Sequence, residues 1–420
     1  MSIRLLFAIA LVAGRLFSAA VAGAEAEPPI VVWISLDGVR HDALAIEGLP
    51  ALQRIARQGA AAEALLPVFP SSTFANHVAQ ATGTHADRHG VVGNRFLDPE
   101  LGYFDYGNDA RFLEAEPIWA AAERQGVRAA TFFWVGSETD WRGVGASFRR
   151  APFQGGLPER VKVDQILAWL DLPEAERPRL IMSWWHGADR AGHRSGPGTP
   201  EVAAQLRQQD EQLLRVLEGI DARGLWGRIT LIVSSDHGMI SADRLLDAGS
   251  LLRKAGLPGR VIHGTSVAHV HLRDPSQVDE ALAAFAGIEG LTAWRTEELP
   301  EALRYRHPTR VGQIVLLAEP PLRLGGSRRR TQALLEKVFG KARGGAHGYD
   351  PAKYEEMHAI LLSMGRGVAA GTRLGRSRAI DLAPSVAALL GIDPPASSEG
   401  EIIPGLGAPL SEPRGATSAP

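Results

Sequence analysis

The chain contains no cysteine, which removes disulfides, thiolate metal sites, iron–sulfur clusters and a thiol nucleophile from consideration. It also lacks an excess of either charge. Lys and Arg number 45 against 47 Asp and Glu, a formal net charge of −2, so no basic face gripping a nucleic-acid polymer is expected. Repeats, coiled-coil heptads and P-loop, GxGxxG, GxSxG or HExxH patterns are absent. Apart from residues 5–14 there is no extended apolar run, and that one is too short for a lasting membrane span. With Arg4 before it and Ala22 and Ala24 ahead of Glu25, residues 1–24 are expected to be an export signal. An exported chain with neither Cys nor an N-x-[ST] sequon points to a bacterial periplasm or secretion. Any metal must be held by His, Asp and Glu, and the chain has 13 His.

What is present is an alternation of short apolar runs with amphipathic stretches. Residues 30–36, 129–134, 180–185 and 229–234 are rich in β-branched and aromatic residues and read as buried strands. Between them, 49–58, 161–170 and 201–217 carry helical periodicity. The pattern predicts an α/β sandwich with a mostly parallel central sheet flanked by helices. Residues 246–334 break it: 261–272 reads as one alternating strand, 278–285 as a helix and 311–317 as a second strand, together a small inserted α+β cap. Core-like sequence (25–245 and 335–407 in all) resumes with 357–364 and a helix at 381–390, and 408–420, rich in Pro, Ser and Gly, is expected to be disordered.

Five separated clusters bring hard ligands and a hydroxyl together: 35–38 with Asp37, 69–77 with Thr73, 188–193 with Asp189 and His193, 234–238 with Asp236 and His237, and 345–349 with His347. Singly each has an ordinary reading, Thr73 as a helix cap or Asp236 in a solvated turn. Together, three Asp and three His can furnish two three-ligand sites with open positions, as catalytic zinc needs. Two neighbouring divalent ions would clamp the attacking and leaving oxygens of a displacement at phosphorus, and a hydroxyl between them becomes a nucleophile.

Asp37-Gly38, Phe69-Pro70, Thr73-Phe74, Asn76-His77, Thr82-Gly83, His89-Gly90, Asn94, Gly136-Ser137-Glu138, Asp189, Gly192-His193, Gly196-Pro197, Ser235-Asp236-His237-Gly238 and His347-Gly348-Tyr349-Asp350 follow one another over most of the chain. In this order they resemble the nucleotide pyrophosphatase/phosphodiesterase family of the alkaline phosphatase superfamily. The resemblance implies two zinc ions per chain, one on Asp189, His193 and His347 and the other on Asp37, Asp236 and His237. It implies Thr73 as a nucleophile bridging towards the metals and passing through a phosphothreonine, with Asn94 and the Phe74 backbone N–H stabilising the phosphoryl oxygens. Phe74 would offer its ring to a nucleobase, with Phe153 on the opposite face. The implied partner is a small phosphodiester or nucleotide, hydrolysed to a nucleoside 5′-monophosphate.

Two departures bear on the substrate. Ser72 stands where many such proteins carry a Lys, and His186-Gly187-Ala188 where Glu-Glu-Pro is usual; His186 reads as a packing residue. The chief rival is a phospholipid- or choline-ester-type phosphodiesterase with the same centre, which would need an anionic or aromatic cage. A phosphomonoesterase ranks below it, and a sulfatase is disfavoured because 71–76 lacks C/S-x-P-x-R. A catalytically silent binding protein is the reading from another class, and retention of Thr73 with all six ligands argues against it.

Overall fold

The computed structural model describes residues 27–326 and 344–407. The expected export signal and the expected disordered tail lie outside these residues. The central sheet comprises β1 (Ile30–Leu36), β2 (Ala60–Ala61), β3 (Ala129–Phe132), β4 (Phe148–Arg150), β5 (Leu180–Trp185), β6 (Ile229–Ser234), β7 (Leu361–Gly365) and β8 (Thr372–Arg373). Their spatial order is β8-β2-β7-β6-β1-β5-β3-β4. From β6 to β4 every pairing is parallel, and β7 runs antiparallel to both β6 and β2. Every residue of β1, β5 and β6 is buried, as expected of strands covered on both faces.

The helices that matter for the site are α1 (Pro50–Gln58), α2 (Thr73–Thr82), α3 (Glu159–Leu170), α4 (Gly187–Ser195), α5 (Pro200–Ala222) and α6 (Leu382–Leu390). One packed group is α1, α3 and α4 around α5, and another is α2 and α6 with the short helix Ile118–Arg124. Pro is the first residue of both α1 and α5, where a missing N–H costs nothing. The orphan N–H groups of Ala51 and Leu52 donate to Asp210 of α5, both at 2.9 Å. A buried carboxylate thus caps one helix from another. Gly83 closes α2 in the left-handed region at φ 70°, returning its N–H to Ala79.

The segment expected as a cap forms a four-stranded antiparallel sheet with strand order Gly259–His263, Val267–Leu272, Ile314–Ala318, Leu291–Arg295. Helices Ala248–Lys254 and Val278–Phe285 accompany it. Two expectations change here. The single strand over 261–272 is a hairpin, turned at Gly264 to Ser266, where the Gly264 N–H bonds Val267 O at 2.7 Å. The strand expected from 311 begins only at Ile314, because Gly312 takes φ +68° beside the Val270 backbone. The cap's apolar cluster also takes in Ala346, Tyr349 and Met357 from beyond the insertion. Among the described residues no helix is long and apolar enough to cross a membrane.

Candidate metal centre and active site

Three adjacent strands deliver most of the site. Ser35 of β1 is in register with Trp184 of β5 and Ser234 of β6, so the segments leaving all three emerge at one edge, where ligands of open α/β sheets bind. Asp37 follows β1, Asp236 and His237 follow β6, and Asp189 and His193 lie four residues apart on one face of α4. Gly38 allows β1 to turn away with φ +71°, and a Cβ there would come within 2.9 Å of the Asp189 Cα. His347 follows the short strand Gly345–Ala346, which pairs with Ile240–Ser241.

The hydrogen bonds fix which atom each imidazole turns inward. His193 Nδ1 donates to Gly345 O at 3.0 Å, His237 Nδ1 to Gly238 O at 2.8 Å and His347 Nδ1 to Ser71 O at 3.0 Å. A carbonyl only accepts, so all three hold the proton on Nδ1 and present a bare Nε2, the tautomer of a metal-ligating histidine. The carboxylates follow the same logic. Asp37 Oδ2 accepts from Trp184 Nε1 at 2.9 Å and Asp236 Oδ1 from the Gly38 N–H at 3.1 Å. Asp37 Oδ1, Asp236 Oδ2 and Asp189 Oδ1 are buried and have no partner.

These unpartnered atoms converge. Ligand atoms of Asp37, Asp236 and His237 lie within 4.8 Å of one another, as do those of Asp189, His237 and His347. His193 Nε2 stands 3.3 Å from Asp189 Oδ1 and 3.1 Å from His347 Nε2. His237, expected with Asp37 and Asp236, therefore lies at the junction of both sets, its ring stacked on His347 at 3.7 Å. Burial, then Asp236 and Asp189, push the Asp37 carboxyl well above its ordinary range, and burial raises Asp189 too. Burial and the neighbouring His237 and His193 hold His347 well below its usual value. The facing lone pairs of His193 and His347 and the crowded buried carboxyls are what a cation would resolve.

The family model described as type I phosphodiesterase / nucleotide pyrophosphatase matches residues 31–350. The chain belongs to this family. Venom phosphodiesterase CdcPDE of Crotalus durissus collilineatus is 28% identical over 365 residues, 82% of this chain and 42% of that protein. Ectonucleotide pyrophosphatase/phosphodiesterase family member 1 of Rattus norvegicus is 28% identical over 90% of this chain and 42% of its own length. The chain thus spans under half of these relatives. Among solved structures, murine ectonucleotide pyrophosphatase/phosphodiesterase 5 superposes with a TM-score of 0.78 at 27% identity, covering 86% of this chain and 95% of that one. An inactive threonine-to-alanine variant of that protein in complex with AMP gives the same TM-score.

In this family member Thr73 is the first residue of α2, its Oγ1 3.2 Å from His237 Nε2. Its carbonyl is held by His77 Nδ1 at 2.9 Å, and His77 Nε2 in turn accepts from Ser35 at 2.9 Å. The Phe74 N–H, expected to face a phosphoryl oxygen directly, donates to Asn94 Oδ1 at 2.9 Å. That bond fixes the Asn94 amide so that its Nδ2 is the donor left to the cleft. Phe74 needs a second correction. Its ring is only 2% exposed, closed in edge-on by Phe104, Tyr106 and Trp184, so it presents no free face to a base. Phe153 is half-buried and stacks on Trp184 with centroids 4.8 Å apart. Glu138 of the Gly136-Ser137-Glu138 motif accepts the Phe153 N–H at 2.7 Å. His186 turns away from the ligands, its Nε2 2.9 Å from Gly155 O and its ring against Phe153.

Three contributors were not read from the sequence. Trp184 anchors Asp37, and the buried Lys162 donates to the Trp184 carbonyl at 2.7 Å. Burial pulls the Lys162 ammonium down to about 8. Tyr106 is 48% exposed beside Asn94 and stands over the Phe74 ring. The only sequence signal for Trp184 is an indole at the end of a strand adjoining the one that carries Asp37.

Proposed function

We propose that the chain is a two-metal phosphodiesterase that cleaves small nucleotide esters or pyrophosphates to nucleoside 5′-monophosphates. One observation carries this reading: three bare imidazole Nε2 atoms and three unpartnered carboxylate oxygens converge beside the Thr73 hydroxyl. Asp37, Asp236 and His237 would hold one divalent ion and Asp189, His193 and His347 the other, zinc first among the metals for such an N/O donor set. Ions so held would lower the pKa of a neighbouring hydroxyl and neutralise charge on phosphoryl oxygens.

The Thr73 hydroxyl attacks phosphorus, a P–O bond to the leaving group breaks, and water later cleaves the phosphothreonine. Lodged at the start of α2 with its carbonyl held by His77, Thr73 has its backbone fixed before substrate arrives. Asn94 Nδ2, oriented through the Phe74 N–H, donates to a phosphoryl oxygen as charge builds. The stack of the half-buried Phe153 on Trp184 supports a nucleobase rather than a choline headgroup. The murine neighbour solved with AMP supports a nucleotide substrate as well.

The test pairs kinetics with metal analysis. The wild type should hydrolyse a p-nitrophenyl nucleotide diester with a kcat/KM well above that for the matching monoester. Thr73→Ala should lose on the order of 10⁴ in kcat while its zinc content stays at the wild-type level. A monoester preference, or an alanine variant that turns over normally, would sink the proposal.

A further inference from the structure

Between the cap and the core lies a cavity of about 160 Å³ that opens onto Asn94 and His347. It is smaller than the roughly 300–1,000 Å³ of a pocket that takes a whole drug-sized ligand, so it suits one ring or a small polyol. Ser72, Ser266 and His269 line it; they are 8%, 2% and 3% exposed, and Ser72 Oγ, Ser266 Oγ and His269 Nδ1 are buried with no partner.

The His269 tautomer is fixed by its neighbour. The Tyr305 hydroxyl gives its single proton to Val92 O, so at 2.7 Å from His269 Nε2 its oxygen accepts. His269 therefore carries its proton on Nε2 and keeps a bare lone pair on Nδ1. Burial and the nearby His271 pull this imidazole down to about 3, so it stays neutral. A lone pair repels a pyrophosphate oxygen and accepts from an alcohol, and the two serine hydroxyls can donate or accept. Arg95, the cation among the described lining residues, is engaged by Asp105 at 2.7 Å and lies 4.8 Å from the Tyr106 ring centroid.

We propose that this cavity receives the sugar or polyol portion of a hydroxyl-bearing leaving group, the ribose of a nucleoside or a sugar alcohol, with His269 Nδ1 and Ser266 Oγ meeting its hydroxyls. The inference rests on the phosphodiesterase reading above, in which the retained nucleoside lies against Phe153, a residue outside this cavity. The Thr73 Oγ1–P bond forms, the P–O bond to the alcohol breaks, and the proton lost by Thr73 ends on the departing alcohol. Esters of such alcohols are then better substrates than nucleoside triphosphates, whose leaving group is pyrophosphate.

The experiment compares kcat/KM for a dinucleoside monophosphate, the p-nitrophenyl ester of the same 5′-nucleotide and a nucleoside triphosphate. The wild type should favour the dinucleoside over the triphosphate. In His269→Phe the ratio of dinucleoside to p-nitrophenyl ester should fall about tenfold, as expected for a lost buried hydrogen bond. Ser266→Ala should shift it the same way and serves as the deciding variant where His269→Phe fails to fold. A ratio unchanged in the folded variants, or a triphosphate preference in the wild type, overturns the inference while leaving the diesterase reading standing. A wild type inert to all three esters removes both.

Discussion

Replacing Trp184 by Phe deletes one N–H and part of one ring, and the effect on stability and the effect on metal affinity are read out separately. The indole Nε1 is 2.9 Å from Asp37 Oδ2 and leaves Oδ1 free towards the site. Hydrogen bonds to charged groups contribute about 1.5–3 kcal/mol, and removing such an outer partner of a metal ligand typically costs about 10–100-fold in metal affinity. The same indole is 5% exposed and stacked on Phe153. Trimming it to a phenyl ring leaves a void worth about 1–2 kcal/mol of stability whether or not metal is bound. Denaturation of the metal-free protein thus reports the packing loss together with the lost bond to Asp37, and the further difference in the metal-loaded protein reports the weakened hold on the metal.

The sign with pH follows from the same contact. The indole favours the charged form of Asp37, against the upward push of burial. Without it the carboxyl keeps its proton to higher pH, and that proton competes with the metal. Trp184→Phe should bind zinc about 10–100-fold more weakly at pH 7, with a larger deficit at pH 6 than at pH 8, in competition titrations against a chromophoric chelator. Affinity within twofold of wild type at both pH values would refute the anchoring role.

Gly38→Ala places a Cβ 2.9 Å from the Asp189 Cα at φ +71°. It should cost about 1–2 kcal/mol from the left-handed backbone alone and lower bound zinc per chain through displaced Asp189, read by denaturation and elemental analysis. Normal zinc content in the folded variant would count against the close approach as a reason for the glycine. Zinc binding should also release protons, because burial raises both Asp37 and Asp189 above their ordinary range and a ligand carboxyl must be ionised. Calorimetry in two buffers of different ionisation enthalpy measures that release. Zinc affinity should rise with pH, and no proton release at pH 6 would contradict the buried-carboxylate picture.

How much of this was legible in the sequence depended on whether the information was local. The strands expected at 30–36, 180–185 and 229–234 have those same bounds in the structure, because β-branched runs buried on both faces leave little else for the backbone to do. The sequence reading of 261–272 as one strand passes over Gly264, Thr265 and Ser266, three small turn-favouring residues between two apolar stretches, and these are where the chain reverses. The candidate ligands lie at strand ends, inside compact motifs, and the structure gathers all six. Phe74 failed because the residues that close over it, Phe104 and Tyr106, arrive through a hairpin formed by Arg95–Asp98 and Gly102–Asp105. Nothing adjacent to Phe74 in the chain signals that lid.

The same contrast separates reaction from selection. The sheet edge and α4 place Asp37, Asp189, Asp236 and His237, and backbone carbonyls fix the protons of His193, His237 and His347, so chemistry at phosphorus needs little from the cap. Among the described residues the cap meets the core at the cavity that Ser266 and His269 line together with Ser72. There the chain has a hydroxyl, Ser72, directly before the nucleophile. A lysine at Ser72 would bring a cation suited to a charged leaving group. Ser72, Ser266 and a neutral His269 instead offer uncharged polar groups there. Ser72, a departure in the motif before the nucleophile, is in the folded chain one wall of the cavity proposed for the leaving group.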